Sequence, residues 1–236
     1  MSYPSTNRLV DLLREIPTEH LRSLYERHGV DPTAGPGELV SEICLDGANT
    51  FASLFRGWKG VPYREVVRDV AEKMGVGKAV LKSKHERNIE VAVIESVIQR
   101  YLAKATPKER EDIRRILEEA SQDHKEVWRH LLKGGGALTM LLAQVGPKVA
   151  AGVIERIVAS IIGRQLGIGA LRGGAGILEG VGLLGGAGIL GLAVPLLNVA
   201  LIGWTVVDLA GPAFRKTIPT VIEIAMLRLE FEATRN

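Results

Sequence analysis

The sequence predicts an all-α protein with a helical N-terminal domain, a glycine-rich apolar helical hairpin region and a C-terminal amphipathic helix. Three observations carry that prediction. Apolar residues recur at three- and four-residue spacing in segment after segment, the signature of one-faced helices. No segment alternates with period two for long enough to claim a strand. The charges and glycines also segregate: residues 1–133 carry 43 of the 57 charged residues and 8 of the 27 glycines.

In chain order, NRLVDLLREI places Leu9, Leu12, Leu13 and Ile16 on one helical face. Pro17-Thr18 restarts a helix, with Thr18 as the expected N-cap, through His20–His28 to a stop at Gly29. GVDPTAGPGE is turn-rich. Residues 38–58 are apolar at helical spacing (Leu39, Val40, Ile43, Phe51, Leu54, Phe55), with an expected interruption around Asp46-Gly47. YREVVRDVAEKMGV follows, closed by Gly75, and then two helices are expected at 88–103 and 107–132. The second opens with Thr106 as cap, Pro107 at the first helical position and Glu109 in the first turn, a strong start signal.

Gly134-Gly135-Gly136 then breaks the chain, because each glycine costs roughly 1 kcal/mol in a helix interior. The expected division is a charged helical domain at 1–133 (with a short helical module at 1–30) and a glycine linker at 134–136. A glycine-rich apolar, candidate membrane-active region follows at 137–212, and a C-terminal helix at 213–236. ALTMLLAQV and, after Gly146-Pro147, KVAAGVIERIVASIIGRQ are apolar on most sides. The last helix is expected over roughly 218–232, starting at Pro219.

The most unusual stretch is 173–212, which holds only two charges, Glu179 and Asp208; residues 180–207 hold none. Those 28 residues exceed the ~20 that cross a bilayer as a helix. Pro195 divides 173–212 into arms of 22 and 17 residues, about 33 and 26 Å at a helical rise. Basic residues flank both sides, Arg164 and Arg172 before and Arg215 and Lys216 after, which favours a hairpin entering and leaving by one membrane face. GxxxG spacing occurs at Gly163/Gly167, Gly169/Gly173, Gly176/Gly180 and Gly182/Gly186, and lets helix backbones approach closely. Trp204 is placed to anchor at a headgroup boundary or to sit in a core. A buried hairpin inside a coat of amphipathic helices meets the same requirements, and mean hydropathy over the whole chain is only +0.13.

Other chemistry finds no foothold. GVGLLG and GAGILG match GxGxxG, but no strand precedes them and Pro195 interrupts the following helix. The five histidines form no metal spacing and read as surface residues. Cys44, the single cysteine, reads as a buried small hydrophobe in a reducing compartment. A net charge of +3 and 5% aromatic residues do not point to nucleic acid. The basic run Lys78, Lys82, Lys84, Arg87 is either a solvated face or a contact for phosphates or anionic headgroups. The opening MSYPSTNRLVDLLREI has no basic-then-apolar pattern of a secretory signal.

NRLVDLLREIPTEHLRSLYERHGV, YREVVRDVAEKMGV, IEVAVIESVIQRYLAKATPKERED and above all AFRKTIPTVIEIAMLRLEFEA, with its aromatic-Arg-x-Thr-Ile-Pro run, resemble the bacterial YaaW-like family. The resemblance implies a helical protein in the bacterial cytoplasm or at the inner membrane and brings no reaction, cofactor or catalytic residue. Parts are also similar to helical chaperones of cytochrome assembly, which favours an adapter. The expectation is therefore a non-enzymatic protein whose partners are membrane lipid and a second copy or another protein. It associates with or inserts into the inner membrane, as a permeabilising or stress effector held in check by residues 1–133. The alternative is a soluble interaction module or chaperone with the hairpin buried as core or oligomer seam.

Overall fold

The computed structural model describes residues 4–48, 60–165 and 212–235. Among these residues there are ten α-helices and no strand. The helices are α1 Pro4–Arg14, α2 Arg22–His28, α3 Pro36–Ala48, α4 Tyr63–Lys73, α5 Lys78–Leu81, α6 Glu86–Lys104, α7 Pro107–Ala120, α8 His124–Lys133, α9 Ala137–Gln165 and α10 Pro212–Arg235. Of the stretch expected over 38–58, residues 49–59 lie outside the described part, as do residues 166–211.

The local signals explain most boundaries. Gly29 closes α2 and Gly75 follows α4, both at positive φ (67° and 77°), where a side chain would be strained. Thr106 and Glu109 form a reciprocal capping box at the start of α7. The three glycines 134–136 all adopt positive φ (93°, 96° and 85°) and turn the chain into α9.

Four expectations shift. A 3-10 turn, Thr18–Leu21, precedes α2, and Thr18 does not cap it. The single helix expected over 107–132 is two, because Ser121 is extended and its hydroxyl bonds to Gln144 Oε1 on α9 at 2.9 Å. α3 continues through Asp46-Gly47 without a break. Gly47 is there for close approach: a Cβ at this position would lie 2.4 Å from Val66 Cγ2 on α4. Finally, α10 begins seven residues before Pro219 and carries that proline inside it. One lost backbone bond is tolerated because residues 217–227 are buried on every side.

One apolar core runs from Leu9 on α1 to Leu229 on α10, and it continues across the glycine turn. α10 lies at its centre, packed on α2, α3, α4, α6 and α9. α9 packs on α6, α7, α8 and α10 and is kinked at Gly146 ahead of Pro147. By length and composition Ala137–Ile161 could cross a membrane, yet its contacts make it a helix of this bundle.

Candidate functional site: a polar seam along the C-terminal helix

A helix whose middle, residues 217–227, is buried on all faces offers charges there no solvent side, so each buried charge needs a partner. α10 meets that demand with two stripes. Lys216, Thr220 and Glu223, at i, i+4 and i+7, face α2 and α3. Arg228 and Glu232 face α6.

On the first stripe, Arg27 Nη2 donates to Glu223 Oε2 at 2.7 Å, and the Ser23 hydroxyl donates to Glu223 Oε1. The Glu223 side chain is fully buried. Desolvation pushes its carboxyl up, and Arg27 and Ser23 offset only part of that. One turn earlier, His28 Nδ1 lies 2.7 Å from Asp46 Oδ2 and His28 Nε2 lies 2.8 Å from Thr220 Oγ1. Lys216 Nζ reaches both Asp46 oxygens, at 3.2 and 3.1 Å. Burial lowers the His28 pKa despite its bond to Asp46. Asp46 ends below the usual carboxylate range: desolvation raises it, but His28 and Lys216 together outweigh that.

Asp46, His28 and Thr220 follow the hydrogen-bond order of an acid–imidazole–hydroxyl relay. Thr220 Oγ1 nevertheless also receives Arg27 Nη1 at 3.2 Å and donates to Lys216 O at 2.8 Å, inside a fully buried residue. With its hydroxyl saturated and covered, this set is a structural knot tying α2, α3 and α10 together.

On the second stripe, Arg228 grips Glu90 of α6 with two bonds, Nε to Oε2 at 2.7 Å and Nη2 to Oε1 at 3.2 Å. The Tyr63 hydroxyl of α4 donates to the same carboxylate at 2.9 Å. Burial, then the Glu90 charge, holds the Tyr63 phenol well above its ordinary value. Further along, Arg87 Nε pairs with Glu232 at 2.7 Å.

α9 is held differently. Buried Glu95 of α6 accepts from Gly135 N at 3.1 Å and Leu138 N at 3.2 Å, placing a carboxylate on the positive end of α9. Farther down, Glu155 has one oxygen, Oε1, buried without a partner. Burial first, and the Glu230 carboxyl of α10 second, push Glu155 up to about 8.

Of the residues singled out in the sequence, Gly163 and Arg164 fall in the last turn of α9. Gly167, Gly169, Arg172, Gly173, Gly176, Gly180, Gly182, Gly186, Pro195 and Trp204 lie outside the described residues. Arg215 is exposed at the start of α10, whereas Lys216 is half-buried and held by Asp46. Cys44 is buried as expected, its thiol pushed up to about 11 by desolvation. His28 departs from the surface reading of the histidines: it is a buried hub. The signal for the seam was present as single charges in apolar helices, Glu90 and Glu95 in IEVAVIESVI and Glu223 in TVIEIAML.

Fold and seam define an all-helical bundle laced by buried ion pairs. Similar chains exist in Helicobacter pylori, where three proteins are described as UPF0174 protein. One is 29% identical over 211 residues, spanning 87% of this chain and 76% of the relative. Another is 25% identical over 228 residues, spanning 89% and 95%. The third is 25% identical over 236 residues, spanning 91% and 99%. No family model matches the chain, and no solved structure matches it. These relatives correct the expected family, because they are described as UPF0174 proteins and not as YaaW-like. The stretches behind that expectation are largely core helices, whose Val, Ile and Leu pattern is set by packing and so discriminates families poorly.

Proposed function

We propose that this is a non-enzymatic helical protein that associates with or inserts into the bacterial inner membrane through its glycine-rich apolar stretch, acting as a permeabilising or stress effector. The observation that carries the reading is the uncharged run 180–207, 28 residues long with basic residues on either side. The bundle supports it by supplying fixed attachment points: α9 is capped by Glu95, and α10 is tied down by Asp46, Arg27 and Glu90. In sequence the uncharged run thus lies between two packed helices of the bundle, α9 and α10.

Flotation of the full chain with anionic liposomes, beside a variant lacking residues 173–212, tests this. The full chain is expected to float and resist a carbonate wash while the variant stays behind; equal behaviour of the two defeats the reading.

A second reading, a soluble interaction module or chaperone, draws on α10 itself, whose residues 217–227 are core although the helix flanks the apolar run. A discrete species on gel filtration without detergent, together with absence of liposome leakage at any pH, would favour it.

A further inference from the structure

The knot between α2, α3 and α10 balances its charges only while His28 is neutral. Two cations, Arg27 and Lys216, answer two carboxylates, Glu223 and Asp46. Asp46 from α3, Lys216 from α10 and Arg27 from α2 itself are the charges that act on the His28 ring, with Glu223 held behind Arg27. The His28 side chain is 0% exposed, so a proton on it adds a charge that water does not reach.

The ring is nevertheless placed to take that proton. Its Nδ1 faces a carboxylate oxygen, Asp46 Oδ2, and so carries hydrogen in either state. Its Nε2 lies 2.8 Å from Thr220 Oγ1, which is also 2.8 Å from Lys216 O. The single Thr220 proton can point either way. Pointed at Nε2, it satisfies the neutral ring. Pointed at Lys216 O, it leaves Oγ1 to accept from a protonated Nε2 and from Arg27 Nη1, which fills the hydroxyl. A turn of one hydroxyl therefore serves both states of the imidazole.

Access to water decides which ion then gives way. With His28 charged, three cations share two carboxylates. Arg27 and Glu223 have no water to separate into, at 8% and 0% exposure. Lys216, at 45%, can exchange Asp46 for solvent. Among the described residues, Lys216–Asp46 is also the first ion pair along α10, four residues after the helix starts at Pro212.

We propose that this knot is an acid-operated catch: a proton taken from solvent onto His28 Nε2 transfers Asp46 from Lys216 to the imidazolium and loosens the first turn of α10. The inference stands whether or not the uncharged run meets lipid.

Hydrogen exchange of the full chain between about pH 7.5 and about pH 4.5, corrected for intrinsic rates, reads this directly. Asp46 stays ionised over that range, because the desolvation that raises its carboxyl is outweighed by His28 and Lys216. Protection of the amides at 216–218 is expected to fall about fivefold further than that of α6, the effect of losing a half-exposed ion pair. The midpoint should coincide with titration of the His28 imidazole followed by NMR. In H28Q the extra loss should vanish. In K216M the first turn should already be less protected at the neutral end and lose nothing more in acid; this arm carries the test if H28Q does not fold. Constant protection at 216–218 in the parent, or a loss shared equally by α6, would overturn the catch. So would an extra acid loss that survives in H28Q or in K216M.

Discussion

α9 and α10 flank the same uncharged stretch and look alike in sequence: each is long, mostly apolar and carries a proline. They are held in opposite ways. α10 is sunk into the bundle and carries Lys216, Glu223 and Arg228 inward to matched partners on α3, α2 and α6. α9 keeps part of its surface in water, exposing Val149, and holds an ion pair near its rim, Arg156–Glu119 at 2.7 Å. Glu155, with one oxygen buried and unpartnered, faces the Glu230 carboxyl of α10, and burial pushes both carboxyls up. The difference teaches that hydropathy sets how apolar a helix is, while buried charge pairs set where it sits.

The sharpest way to break this comparison is to strand a buried charge on α10. Arg228→Met leaves Glu90 without its cation and is expected to cost about 3–5 kcal/mol in urea unfolding. The double variant E90Q/R228M should recover much of that loss. A cost below about 1 kcal/mol for the single change would mean that the pair does not hold α10.

pH separates the two helices next. His28, in the α10 knot, has a lowered pKa in the fold. Its contribution is therefore intact above the unfolded value of about 6.5 and is lost as pH falls through that value toward the lower folded one. Glu155 works in the opposite sense, because its folded pKa, about 8, lies above the ordinary 4.5. Its contribution is full below the ordinary value and is lost as pH rises to the folded one. Glu155→Gln should stabilise the protein at pH 7 by about 1–2 kcal/mol, discounted for partial exposure. Melting temperature against pH should lose part of its acid-side fall in His28→Gln, and in E155Q part of the decline that Glu155 imposes between 4.5 and about 8. Profiles unchanged by either substitution would refute the assignment.

The smallest effects belong to the outer face of α9. Arg156→Ala should cost less than about 1 kcal/mol, since both partners of its pair are substantially exposed. Val149→Ser should stay within about 0.5 kcal/mol on the same urea curves.

Much of the fold was legible because its signals are local. The Thr106–Glu109 box, the stop at Gly29 and the break at Gly134–Gly136 each depend on a few neighbouring residues. The misreadings came from long-range geometry. Gly47 reads as a break in the sequence because its partner, Val66, is distant along the chain. The 107–132 stretch reads as one helix because the bond from Ser121 goes to Gln144. His28 read as a surface residue because Asp46 and Thr220 reach it from elsewhere in the chain. The candidate site is hardly legible at all: each half of the Glu90–Arg228 pair is an ordinary helix charge until the fold brings together two residues 138 positions apart. The glycine and tryptophan positions singled out in 167–204 lie outside the described residues and rest on sequence alone.

The claim that the uncharged run meets lipid can be tested with one probe. Cys44 is buried and its thiol pushed up to about 11, so a single cysteine at Leu192→Cys can be labelled selectively with an environment-sensitive fluorophore. A label at Leu132→Cys, exposed on α8, serves as the reference. On adding anionic vesicles, the account predicts a blue shift and quenching by lipid-borne quenchers for the label at 192 and no change at 132. An unchanged spectrum at 192, under conditions where the protein is folded, would contradict it.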